Sequence, residues 1–344
     1  MRPLPFPAIL ALALTLPLLA WLPGCGDTPF AVVPDDDTDD DDDASGDDDD
    51  DDDAGDDDDA SDDDGGDDDG GDDDTEVPEW VQMCERWNAD RADLSEGSWS
   101  GSTGSCDAGD ISASARDNAL RVLNLYRWLA DLPAVQTDAT RDAMAQECAL
   151  MMHANGTLSH SPDPSWTCYT SDGAQAAGSS NISTGPGVVS VDYYMEDFGN
   201  ESTMGHRRWI LSNGLGPVGL GSTSSYSCMW VIGGSGGDGN EWTAWPPPGE
   251  FPIGALGTMW DSIDATGWTI QSDDIDLAGA QVTITDDGND RPVDVSSLAG
   301  GYGSSQAIKM IPQGWSSTAG HSYEVSVTGV STPISYTVEV VDCQ

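Results

Sequence analysis

Between Asp35 and Asp74 the chain carries twenty-eight aspartates, interrupted only by Thr, Ala, Ser and Gly. Such a stretch has no apolar surface to set against the entropy of ordering, so it is expected to stay disordered and, through like-charge repulsion, extended. It divides the chain into a short leader and a long body, and only the body can build a core. Without this block the chain remains acidic, near −24, and it has a single lysine, Lys309. A basic patch for nucleic acid or an anionic membrane surface is therefore excluded. The block also lacks the glycine turn and bidentate glutamate of a calcium loop, leaving only diffuse counterion binding.

The leader has one positive charge, Arg2, ahead of an apolar run from Ala8 to Leu22. The run is too short for a stable span and is flanked like an export signal. It ends in Leu22-Pro23-Gly24-Cys25, which resembles the lipobox of bacterial lipoproteins. The resemblance implies cleavage after residue 24, lipid attachment at Cys25, and a lipidated, aspartate-rich linker over 25–78. Several acyl chains would hold where one alone binds only marginally. An ordinary secretory signal with an incidental cysteine and an uncleaved anchor helix are the alternatives. The expected place is the bacterial cell envelope, periplasmic or at the cell surface, with the acyl anchor in the membrane. Export gives the other six cysteines a meaning: Cys84, Cys106, Cys148, Cys168, Cys228 and Cys343 read as three disulfides. Spacing suggests Cys84–Cys106 and Cys148–Cys168, leaving Cys228–Cys343, among fifteen possible connectivities.

In the body, Trp80 to Ser112 reads as loop-rich, with Trp87 and Trp99 as packing anchors. Ser114 to Leu132 has helical periodicity and stops at Pro133. A second helix runs from an Asp138 cap to Asn155, closed by Gly156. Its His153 is a packed or solvated residue. Trp166 to Gly187 is small and polar, and Val188 to Phe198 is again helical. Short strands are expected over Val218–Ser222 and Cys228–Gly233. Trp242 to Pro252, with three consecutive prolines, is expected to be a stiff seam excluded from helices and sheet interiors. Beyond it, period-2 alternation over about six short segments predicts a small β-sandwich. The predicted class is α+β: one domain over 79–248, a second, Ig-like all-β domain over 249–344, and the disordered tether. His321 falls in a turn and is expected to be solvated. The thirteen tryptophans are scattered, which favours packing over a carbohydrate-stacking platform.

Four motifs recur in an order that points to a family. Asn124-Leu125-Tyr126-Arg127 lies in the first helix and Leu158-Ser159-His160 follows the second. Ser180-Asn181-Ile182 comes next, and Gly205-His206-Arg207 precedes an apolar run. Together, over Ala115 to Ile232, they resemble the CAP superfamily of cysteine-rich secretory, antigen 5 and pathogenesis-related proteins, in its bacterial secreted branch. The resemblance implies an α-β-α sandwich whose cleft holds two histidines and two acidic residues, with a divalent cation in some members. His160 and His206 match the histidines, and Glu196 is the candidate for one acid. Ser180-Asn181 stands where the family has Glu-Asn, so the cleft set is His160, Ser180, Asn181, Glu196 and His206.

Two imidazoles and a carboxylate, His160, His206 and Glu196, would suit Zn²⁺ with an open position for water. Ser180 is a poor ligand, His-Glu-x-x-His is absent, and only Glu201 offers itself as a substitute base. A serine nucleophile at Ser180 would need His206 as base and an acid to orient it. Arg207 and Arg208 are expected to pair with Asp192, Asp197 and Glu201. The function this supports is non-enzymatic binding of a ligand or cell-envelope partner through the histidine-lined cleft of a monomer. A metal-dependent hydrolase or peptidase in the same cleft and an adhesion or structural module are the alternatives.

Overall fold

The computed structural model describes residues 77–236, 239–257 and 262–344. The leader, Cys25 and the aspartate block lie outside the described residues.

The chain enters through α1 (Glu79–Asp90), where the sequence predicted loop. The helix forms because Met83, Cys84 and Trp87 fall on one face and are buried there. Helix α2 (Ala113–Leu129) starts at Ser112, whose side chain accepts from the Ala115 N–H. It ends three residues earlier than predicted, where the Ala130 and Leu132 N–H groups close on the Arg127 carbonyl. Helix α3 (Ala139–Asn155) has the predicted ends: Asp138 accepts from the Arg141 N–H, and Gly156 sits at φ 65°. The polar stretch after it is not a turn. It forms α4 (Ser171–Ser179), capped by Thr170, and runs directly into β1 (Ser180–Ser183). Small side chains permit this, because a Cβ on Gly173 would lie 3.1 Å from the α3 backbone.

Helices α5 (Gly187–Glu196) and α6 (Gly205–Ile210) precede β2 (Gly219–Ser222) and β3 (Ser227–Trp230). The three strands form an antiparallel sheet in the order β1-β3-β2. Residues of β3 and Val231 alternate between its faces. Cys228 and Trp230 join a cluster with Cys148, Met151 and Ala177 of α3 and α4. Met229 and Val231 join one with Val122, Val191 and Tyr194 of α2 and α5. That alternation makes the predicted three-layer α-β-α sandwich. Gly219 and Gly221 let β2 lie against α3; a Cβ on Gly221 would sit 2.1 Å from the Gln146 nitrogen.

The proline-rich stretch carries two short strands at sheet edges. Thr243–Trp245 is β4 and Gly249–Pro252 is β5, each an edge strand, where a missing N–H is tolerated. Strands β6 (Trp268–Ser272), which follows the short helix α7 (Ile263–Thr266), and β7 (Gln281–Asp286) come next. β8 (Asn289–Asp290), β9 (Val293–Ser297), β10 (Gln306–Pro312), β11 (Ser322–Thr328) and β12 (Ile334–Val341) complete the set. They form two sheets, β4-β6-β10-β9 and β5-β12-β11-β7-β8, with β5 parallel to β12. Trp245 is wholly buried and meets Tyr126 of α2 and Phe251 of β5 edge-on, at 5.5 and 5.1 Å. One buried cluster thus continues from Met83 and Tyr126 through Trp245 to Ile308, Val325 and Val338.

All three disulfide pairings differ from those inferred from spacing. The bonds are Cys84–Cys343, Cys106–Cys168 and Cys148–Cys228. Spacing favours short loops, but tertiary pairing decides: α3 packs on β3, and β12 runs beside β5, which packs on α1. These long loops constrain the unfolded chain more than short ones would, about 4–6 kcal/mol each in the chain-entropy account against about 3 for a loop of roughly 20 residues.

Candidate functional site

His160 follows α3 and donates from Nδ1 to the Ala177 carbonyl at 2.8 Å. His206 lies in the first turn of α6, and its Nδ1 is 2.8 Å from the buried carboxylate of Asp197. Each bond fixes a ring orientation and leaves Nε2 for whatever enters from solvent. Asp197 ends α5 in the left-handed region, at φ 56°, which turns its carboxylate back towards α6. It also accepts from the Arg207 N–H and from Asn200 Nδ2, both at 3.2 Å.

The loop from Asp197 to Gly205 and the start of α6 are held by a closed network. Asn181 donates to the His206 carbonyl at 3.0 Å, and Tyr194 OH donates to the Asn181 carbonyl at 3.1 Å. The Tyr194 ring lies 5.2 Å from the His206 ring. Burial pushes the Tyr194 hydroxyl up, so it remains a neutral donor.

His160, Ser180, Asn181 and His206 line one cleft of about 390 Å³, within the range of small-molecule sites. Phe198, Asn200, Trp209 and Tyr302 complete its walls. Glu196 is not among them. It is buried and borders an adjoining groove of about 350 Å³, which shares His206 and Phe198 with the first cleft and adds Leu158 and Tyr193.

Among the described residues, no group of three or more His, Cys, Asp or Glu is arranged to hold a metal ion. The suggested set is divided between the two hollows, His160 in the first and Glu196 in the second, with His206 on the wall they share. The donor chemistry agrees: the position that would supply an anionic ligand is Ser180, whose buried Oγ has no hydrogen-bond partner and no exposed surface. An atom so enclosed cannot serve as a nucleophile either, even though His206 has an orienting acid in Asp197. The Glu201 carboxylate accepts from the Gly199 N–H and is not directed at the histidines by that bond.

The two arginines do not pair with acids as expected. Asp192 is taken by a bidentate bond from Arg91, at 2.8 and 2.9 Å. Arg207 donates to the carbonyls of Met195, Glu196 and Gly267 and to Thr266 Oγ1. Arg208 donates to the carbonyls of Thr203, Ala299 and Ser304 and to Ser304 Oγ. Burial pushes both guanidinium groups down to about 10, so both stay charged at neutral pH. Their role is to bolt α6 onto α7 and the loops of the C-terminal part, and neither is left to meet a ligand.

Sequence reasoning missed Tyr302, which reaches the cleft from the loop between β9 and β10. Its ring packs on Gly205, where an added Cβ would lie 2.8 Å from Tyr302 Cδ1, and it lies 5.9 Å from the Arg208 guanidinium. The run Gly300-Gly301-Tyr302-Gly303 carried a signal, an aromatic isolated among glycines in a β-module otherwise read as inert. Asp197 was read as an arginine partner because nothing in the sequence shows the backbone turn that redirects it.

With this geometry in place, comparison with known proteins adds the family. Residues 120–232, about a third of the chain, match the CAP, cysteine-rich secretory protein family. Neither the curated proteins nor the solved structures supply a match.

Proposed function

We propose that this protein is an exported, lipid-anchored CAP-domain protein that binds a small ligand or cell-envelope component in the cleft between His160 and His206, without metal and without turnover. The observation that carries the reading is the state of the cleft. Its two imidazoles are fixed from behind by Ala177 and Asp197, but the cleft has neither a metal-ligand set nor an accessible nucleophile. Preoriented polar groups in an open hollow are what binding requires, and activation chemistry is what the hollow lacks. Three disulfides suit an oxidising compartment, and Cys25 is the proposed attachment point for the lipid.

Two measurements test this. Metal analysis of the purified full-length protein should find no stoichiometric zinc after dialysis. Stoichiometric zinc that is lost in a His160→Ala, His206→Ala variant would overturn the metal-free reading. Radiolabelled fatty acid should be incorporated into the wild-type chain in a bacterial host and not into Cys25→Ser; equal labelling of the two would remove the anchor.

A further inference from the structure

The residues around the larger cleft include no Asp, Glu, Lys or Arg, although the chain as a whole has a net charge of −52. The arginines nearest to it are turned inward onto carbonyls, and Lys309 is spent on the Glu201 carbonyl at 2.6 Å. Such a wall offers an anionic ligand nothing, and a cationic one only the buried Asp197, already held by His206 and Arg207. What it does offer is aromatic surface interleaved with uncharged hydrogen-bonding groups. Phe198 is 63 % exposed and Tyr302 is 38 % exposed, and Trp209 lies between them in sequence. The Asn200 amide is engaged with Asp197 and Thr203, but His160 and His206, whose Nδ1–H groups face Ala177 and Asp197, each present an Nε2 that can accept from a ligand hydroxyl.

We infer that the cleft binds an uncharged oligosaccharide, with Phe198 and Tyr302 as stacking faces and the Nε2 atoms of His160 and His206 as hydroxyl acceptors. Sugar rings present C–H faces, which the negative face of an aromatic ring attracts, and rims of hydroxyls that need reversible partners. An apolar ligand would leave the two imidazole Nε2 atoms unpaired, at a cost that a sugar avoids. Gly205 and Gly303 fix the Tyr302 wall. A Cβ on Gly303 would lie 2.3 Å from the Arg208 carbonyl, so the loop can approach α6 only with glycine there. This inference rests on the proposed binding role of the cleft and names its ligand class.

The test is calorimetric titration of the full-length protein with four neutral tetrasaccharides: β-1,4-glucan, β-1,3-glucan, α-1,4-glucan and β-1,4-linked N-acetylglucosamine. At least one should bind saturably, roughly in the micromolar to millimolar range. Its affinity should change less than about twofold between low and high salt, since no charge is engaged. Phe198→Ala and Tyr302→Ala should each weaken binding at least about fivefold with the melting temperature unchanged. Failure of all four sugars to bind overturns the inference, as does tighter binding of a sulfated oligosaccharide or undiminished binding in the double variant. Imidazole resonances followed in the same samples separate the two ideas. If His160 and His206 respond to an apolar or charged solute but to no sugar, the cleft stands and the ligand class falls.

Discussion

Ser180 Oγ is enclosed without a partner, and a buried hydroxyl in that state costs about 1–3 kcal/mol relative to one that is bonded. Ser180→Ala is therefore expected to be neutral or to stabilise by about 1 kcal/mol, read from chemical denaturation. A loss of 1 kcal/mol or more would mean that the hydroxyl has work in the fold. Arg208 is the opposite case. Its truncation strands the carbonyls of Thr203, Ala299 and Ser304, and Arg208→Ala should cost about 3 kcal/mol or more. If the loss is below 1 kcal/mol, the bolt between α6 and the C-terminal loop is not a structural one. The histidines were readable as a pair because their motifs carry them. The arginines were not, because a charge run looks the same whether its partners are carboxylates or carbonyls 60 to 96 residues away.

Among the elements, the caps of α3 and the alternation of β11 and β12 could be read directly, since each is a local pattern with a local cause. The disulfides could not, since their partners are set by which elements pack together. Their exposure predicts an order of reduction. Cys106 is exposed, whereas Cys148 and Cys228 are almost completely buried. Graded reductant with thiol labelling and mass spectrometry should open Cys106–Cys168 first, and earlier opening of Cys148–Cys228 would contradict the packing of α3 on β3. At the end of β7, bonds from Arg291 and then from His321 hold the Asp286 carboxyl below its usual range. A depressed carboxylate contributes stability above its unfolded value, about 3.9, and loses it as pH falls through the lower folded value. The melting-temperature gap between wild type and Asp286→Asn should be full near pH 6 and shrink below about pH 4. A gap that persists unchanged at pH 2 would exclude that role.

For the whole molecule, the period-2 segments after residue 249 read as a second all-β domain, and Trp245 and Phe251 join its buried residues to those of α1 and α2 in one cluster. Sequence periodicity identifies faces but not which faces meet, so this shared cluster was not legible in it. A chain ending at Pro248 would lose Cys343 and the Gly267, Ala299 and Ser304 acceptors of the two buried arginines. Several kcal/mol for each stranded charge is comparable with the 5–15 kcal/mol that holds a typical domain. Calorimetry of the full chain should show one unfolding transition, and the shortened chain should give unfolded circular dichroism. Two separated transitions would restore independent halves.

The claim on which the account most depends is that His160, His206 and Tyr302 face a single hollow, although they come from three distant parts of the chain. The direct measurement is one nuclear magnetic resonance titration, with a cleft ligand, that follows the two imidazoles and the Tyr302 ring together. All three should shift along one saturation curve with one Kd. Separate curves, or a Tyr302 ring that stays still while the imidazoles move, would show that the hollow is not shared.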